Sequence, residues 1–456
     1  MNKVLQAWLI VVLLVVLMLI NFMDKAVLGL VAPPLMKDLS LTPTEFGFLG
    51  GSFFWLFSLS GIVVGLVANH VSAKKLLLWM GISWAVLQFP IHFSSSLGVL
   101  VICRVLLGIA EGPAWAIAVH AVYNWFPDDR RALPVGVLAQ GAMAGLLLAG
   151  AVIPPITEFH GWRANFMVLG IVGLIWAVIW LFVGGDGQGA AKNSESAPSA
   201  ENSARAPYRH LLLNRTVFVT TVMHFAFFWS FALVITWLPS YLNKGLGFGN
   251  ITAGQLFSAF VILNTPVNLV LCWFAQVLSR RGYASRVSRG IFTSIAFIVG
   301  GALLFVPWLM DISAVAKIVM LAVSFGAITV VVSLGPAMVS EVSPPAQRAG
   351  AIAIETAVAS IAGVVAPMVM GGLIQLLSQK AGLAHAYEIG FALTGALILF
   401  AGALGLIFVT PEKSALRLRE IMSRKAPDGY GTQFAPAQNG VPGRQPAGKL
   451  LVEDQK

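Results

Sequence analysis

The chain has 456 residues, 58% of them hydrophobic and only 11% charged, with a mean hydropathy of +0.84. Soluble domains carry about 25% charged residues, so this composition excludes a water-soluble globular protein and makes lipid the solvent for most of the chain. The net charge of +10 is spread over many short connections rather than one patch, which argues against nucleic acid, and two cysteines exclude a disulfide scaffold.

A bilayer crossing needs about 20 apolar residues. Twelve segments meet that length, at approximately 8–33, 46–68, 76–93, 97–125, 132–155, 163–184, 215–241, 252–279, 290–309, 314–341, 349–379 and 387–410. The first follows a short basic start with Lys3, as a signal peptide would. It is too long for one, has no convincing cleavage site and carries Asp24 and Lys25 near its far end, so it is expected to persist as the first helix. Asn21 lies one turn before that pair.

In the fourth segment Arg104, Gly108, Glu111 and Trp115 recur at helical spacing and share one face. Arg104 and Glu111 are about 10.5 Å apart along the axis, too far for a direct pair, so each needs another partner. The fifth segment carries Gln140 among Gly136, Gly141, Gly145 and Gly150, a pattern for close helix packing or for helices that rock against each other. The small, polar stretch 185–213 reads as a linker. It divides an N-terminal half, 1–184, from a C-terminal half, 214–410.

In the second half, His224 stands among Phe225, Phe227, Phe228 and Trp229, where packing or lipid contact accounts for most of these side chains. Asn264 and Asn268 are one turn apart in the eighth segment and fit either substrate contacts or interhelical hydrogen bonds. Glu355 in the eleventh segment is either a second protonation site or an acid satisfied near the inner mouth. Gly363, Pro367, Gly371 and Gly372 follow it. Of the tail, 411–456, residues 412–425 are predicted as a short amphipathic helix on the inner leaflet, and 426–456 as disordered.

Lysines and arginines fall on alternate connections, roughly 22 on one side against 5 on the other, with Lys25 and Arg104 inside the membrane. Both termini are therefore expected in the cytoplasm. The charges within the spans carry the functional reading. An Arg, Lys or Asp at a helix centre costs roughly 2.5–3.5 kcal/mol to insert and is a functional site by default. Counting from the span ends at 1.5 Å per residue, Asp24 lies about 13 Å and Arg104 about 10 Å below the outer surface, so an Asp24–Arg104 ion pair is expected, with Lys25 beside it and Glu111 deeper. Lys25 and Arg104 offer fixed positive charge to an oxyanion. Burial favours the neutral form of a carboxyl, so Asp24 and Glu111 are expected to couple proton uptake to anion binding. A salt bridge that merely pins two helices is the plainer alternative. No metal-ligand spacing, nucleophile elbow or phosphate loop occurs, so neither a cofactor nor an enzyme activity is expected.

The Asn21–Lys25 stretch, the Arg104–Gly112 stretch, Trp125-Phe126-Pro127, Gly161-Trp162-Arg163 and Thr236–Leu242 together resemble the anion:cation symporter family of the major facilitator superfamily. The resemblance covers roughly residues 10–410 and implies twelve helices in two six-helix halves. It also implies proton coupling at Asp24 and Glu111 and contact of Lys25 and Arg104 with the substrate's acidic group. The chain departs from the family at Lys25, where an arginine fork is usual, at Asn69, where the loop between the second and third helices usually has an acid, and at Thr356, where many relatives have Asn. The expectation is a monomeric, inner-membrane carrier of a small organic anion, with a proton as its partner and sodium as the alternative cation. An anion exchanger or exporter of the same fold, and more remotely a non-transporting sensor, are the competing readings.

Overall fold

A computed structural model describes residues 3–68, 70–187 and 206–423. It is all-α, and twelve helices are long and apolar enough to cross a membrane. They are α1 Val4–Leu30, α2 Pro43–Gly65, α3 Ala73–Phe93, α4 Leu97–Trp125, α5 Ala132–His160, α6 Trp162–Val183, α7 Arg215–Thr236, α8 Asn250–Arg280, α9 Arg286–Leu309, α10 Ala314–Val342, α11 Pro345–Ala381 and α12 Leu383–Phe408. A final helix, α13, spans Pro411–Ser423. The spans form two sets of six, as expected. The Asn69 position, residues 188–205 of the linker and the tail from 424 lie outside the described residues.

Local sequence sets the ends and breaks. α2 starts on a capping box, in which Glu45 N donates to Thr42 Oγ1 at 3.2 Å and Thr42 N donates to Glu45 Oε2 at 2.8 Å. It breaks between Ser52 and Phe57. α4 breaks after Glu111, where Pro113 has no N–H to continue the ladder, and resumes at Ala114. Irregular backbone at membrane depth is tolerated where it is buried in protein or lines a water-filled cavity, and Phe53 and Phe54 in the first break and Pro113 in the second are buried.

The two sets meet at the end of the bundle opposite the chain termini. There Gly29 of α1 lies against the carbonyls of Ile235 and Thr236 of α7. Trp237 Nε1 donates to Pro367 O of α11 at 3.0 Å, and the Phe46 ring of α2 stands edge-on to Trp237 at 5.0 Å. That end is closed by helix packing.

At the terminal end the tail departs from expectation. α13 is a helix, but its apolar face is used by protein rather than by lipid. Leu418 is buried with Val217, Val339, Val342 and Ala351, and Met422, one turn on, packs on the same cluster. Ser414 Oγ pairs with Thr216 Oγ1 at 2.8 Å, and Arg286 N donates to Glu412 Oε1 at 3.0 Å. The described ends of the linker are also tied down. Lys74 N donates to Asp186 Oδ1 at 3.0 Å, and the Gln347 amide pairs with both Ala206 N and Ala206 O at 2.7 and 2.9 Å.

Candidate functional site

α1 brings Asn21 and Lys25, one helical turn apart, onto the face that meets Glu111 of α4. Lys25 Nζ lies 2.7 Å from Glu111 Oε2 and also donates to Asn21 Oδ1. Asn21 Nδ2 donates to the same Glu111 oxygen at 2.9 Å. Arg104 Nη1 reaches the main-chain carbonyl of Asp24 at 3.3 Å. All five residues are at most 5% exposed. The expected Asp24–Arg104 ion pair does not form among the described residues; Lys25 and Glu111 pair instead. Successive helical residues point about 100° apart, so Asp24 and Lys25 leave α1 in different directions: Lys25 reaches Glu111, and Arg104 meets the main-chain carbonyl of Asp24 rather than pairing with its carboxyl.

Several polar atoms in this cluster have no partner among the described residues: Asp24 Oδ1, Arg104 Nε and Glu111 Oε1. Gln88 of α3, which sequence reasoning missed, lies beside the Asp24 carboxyl without reaching hydrogen-bond geometry, and both of its amide atoms are unpartnered. Each such orphan costs about 1–3 kcal/mol, so a group of them is an unfilled demand for a ligand, a proton or water.

Aromatic rings enclose the two bases. Lys25 Nζ lies 4.9, 5.7 and 5.8 Å from the ring centroids of Phe22, Phe53 and Phe57, and the Arg104 guanidinium lies 4.8 Å from Phe53. These are cation–π distances. Phe53 is delivered by the break in α2 and Phe57 by the turn that resumes it. Two glycines of α4 permit that approach: a Cβ on Gly108 would strike the Phe53 carbonyl, and one on Gly112 the Phe57 carbonyl. The four-residue glycine spacing seats α4 directly on the backbone of α2.

The other candidates stand apart from this cluster. Gln140 is exposed and contacts Gly136 O of its own helix at 3.5 Å. Asn264 is buried and donates to Phe260 O at 3.0 Å, and Asn268 Oδ1 accepts from Cys272 Sγ at 3.6 Å. Glu355 is fully buried and pairs with His224 Nδ1 of α7, while Thr356 Oγ1 donates to its second oxygen at 3.3 Å. The imidazole rests on Gly335 of α10, where any Cβ would collide with it. Sequence reasoning left His224 with the packing residues. The available signal was a titratable side chain inside an apolar run, whose partner must come from another span. Nor is Glu355 the lone buried acid of the last six spans: Glu388 of α12 is 5% exposed, 2.7 Å from Lys317 Nζ and 3.1 Å from the Tyr241 hydroxyl. Among the described residues no group of three or more His, Cys, Asp or Glu side chains is placed to hold a metal.

Comparison with known proteins places the chain. A family model described as Major Facilitator Superfamily matches residues 14–336. The chain is similar to the "Probable sulfoacetate transporter SauU" of Cupriavidus necator, with 28% identity over 415 residues, covering 86% of this chain and 91% of the relative. It is 30% identical over 288 residues to the "Hexuronate transporter" of Bacillus subtilis, covering 57% of this chain and 68% of the relative. In three dimensions it resembles a bacterial homolog of the human lysosomal transporter Spinster, solved inward-facing and unoccupied. The TM-score is 0.74 at 16% identity, with 91% of this chain and 98% of that chain covered, a likeness of fold alone. The chain belongs to the major facilitator superfamily.

Proposed function

We propose that the protein is a symporter of the anion:cation symporter family that takes up a small organic anion together with a proton. The observation that carries this reading is the Lys25–Glu111 pair, flanked by unpartnered atoms of Asp24, Arg104 and Glu111. An ionised Glu111 occupies Lys25. Protonating Glu111 removes that competitor, and Lys25 with Arg104 then accepts a carboxylate or sulfonate, the arginine through its free Nε–H. Asp24 supplies a second proton-accepting carboxyl beside the anion. Glu111, which holds Lys25 directly, is thus the chief competitor of the anion.

The acidic substrates named for the two relatives, sulfoacetate and hexuronate, support an organic acid as cargo. Gln140 and Asn264 are proposed as contacts for the rest of the substrate, with Asn268 one turn beyond. α5 and α8 abut at Gly150 and Gly254, and from that contact Gln140 and Asn264 each lie about 15 Å toward the terminal end, at matching depth on facing helices. The two six-helix halves rock about this level to give alternating access. The base-rich connections support a bacterial inner-membrane protein with both termini in the cytoplasm.

The test is transport by the purified protein in liposomes carrying a pH-sensitive dye. Imposing a gradient of sulfonates, uronates or aldonates should alkalinise the side from which the anion leaves. Anion flux that follows a sodium gradient instead, or that requires a counter-anion and leaves pH unchanged, would remove the proton from the mechanism.

A further inference from the structure

A second polar site lies at the terminal end of the last six spans, remote from Lys25 and Glu111. The short helix Tyr208–Leu212, the start of α7 and the tail helix α13 enclose a groove of about 770 Å³, inside the ~300–1,000 Å³ range of small-molecule sites. Arg209, Arg215, Lys413 and Arg417 line it together with His210, and among the described residues no acidic side chain does. These four bases are exposed, and none makes an ion pair within 4 Å among the described residues. The corresponding groove of the first six spans, under Trp8 and Phe126, differs in holding its own counterion: Arg130 there lies 3.5 Å from Asp129.

Position narrows the ligand. Arg215 is the first residue of α7, and α12 ends at Phe408, two residues before Thr410 in the groove wall. The groove therefore sits where the helices leave the hydrocarbon, at headgroup depth. On its membrane side Leu213 and Phe218 are 63% and 52% exposed, giving an apolar surface next to the charge. Unpaired bases above exposed apolar side chains match a phosphate headgroup attached to acyl chains.

We propose that this groove binds the headgroup phosphate of an anionic glycerophospholipid, with an acyl chain against Leu213 and Phe218. The bound lipid joins the end of the interdomain linker, through Arg209, to the tail helix, through Lys413 and Arg417. It also gives the exposed bases Lys413 and Arg417 of α13 a counterion, while Leu418 of the same helix stays packed on protein.

Native mass spectrometry and thermal unfolding of the full chain, in a neutral detergent, test the site with phosphatidylglycerol, phosphatidylcholine and inorganic phosphate as separate additions. Phosphatidylglycerol should be retained and should raise the unfolding temperature more than phosphatidylcholine, and inorganic phosphate at the same concentration should do neither. Lys413→Gln/Arg417→Gln should weaken phosphatidylglycerol retention roughly 10- to 30-fold, and Arg209→Gln, on a separate element, about 5-fold. Arg280→Gln/Arg281→Gln, exposed bases at the same end of the bundle, should leave retention unchanged. Equal retention of phosphatidylcholine, equal stabilisation by inorganic phosphate, or an equal loss in the Arg280/Arg281 variant would each overturn the assignment.

Discussion

In the first six spans Glu111 shares one oxygen between Lys25 and Asn21 and leaves the other unpartnered, and Arg104 spends its charge on a main-chain carbonyl. In the last six, Glu355 gives one oxygen to His224 and the other to Thr356, with the imidazole seated on Gly335. Both regions bury an acid against a base, yet only the first leaves capacity unused. A carboxylate whose oxygens are all engaged ties two helices together and has nothing left to offer. A carboxylate with an open oxygen, next to a guanidinium with an open N–H, can exchange its partners for a proton and an anion. On the function proposed above, it is the count of unsatisfied atoms, rather than burial and charge, that marks the first region as the transport site and the second as a brace.

The sharpest way to break this contrast is to remove the base with spare capacity. Arg104→Gln should lower anion uptake in liposomes roughly 30-fold or more, the range for truncating a desolvated charge partner, with assembly intact by gel filtration because no side-chain ion pair is lost. Glu111→Gln should come next. In the native protein anion affinity should fall as pH rises, because the proton that frees Lys25 is lost; in the variant the affinity should become independent of pH, with anion counterflow retained and pH-driven uptake lost. An unchanged pH profile would transfer the coupling elsewhere.

The His224–Glu355 brace should behave in the opposite way. His224→Leu or Glu355→Leu alone should cost up to about 3–5 kcal/mol of stability by leaving the other buried partner unsatisfied, and the double variant should recover most of that loss in thermal unfolding. The double variant should keep proton-driven uptake. Loss of coupling there, at preserved stability, would make Glu355 a second protonation site and erase the difference between the halves.

The smallest effect is expected at the exposed connection between α1 and α2. Hydrogen bonds from Arg163 and then Trp162 hold the Asp38 carboxyl below its ordinary value of 3.8. The stabilisation is complete above that value and is lost as pH falls through the depressed one. Because the pair is exposed, Asp38→Asn should change stability by no more than about 1 kcal/mol at neutral pH, with the difference from the native protein vanishing in acid.

The number of spans was legible because lipid imposes a local rule: every crossing must satisfy its backbone within a run of about 20 apolar residues, and composition reports that directly. The residues of the charge cluster were legible for a related reason, since an ionisable side chain in such a run must find compensation. Their pairing was not. Axial depth follows from a fixed rise per residue, but the rotation of α1 about its axis is set by side chains packed against α4 and α5, so Asp24 and Lys25, adjacent in sequence, could not be told apart as the partner of α4. The aromatic enclosure was hidden for the same kind of reason, because Phe53 and Phe57 reach Lys25 only where α2 breaks and Gly108 and Gly112 admit its backbone.

The fate of α13 shows the remaining gap. Its bases and its apolar positions fit a membrane surface and a protein surface equally well, and local sequence holds no information about which is nearer. Sequence alone determined that the chain crosses the membrane twelve times and which buried charges it must compensate, because both follow from the cost of exposing polar groups to hydrocarbon. Tertiary structure alone decided which acid meets which base, which oxygen stays open and where the tail docks, because these depend on helix rotation and on contacts between segments far apart in the chain.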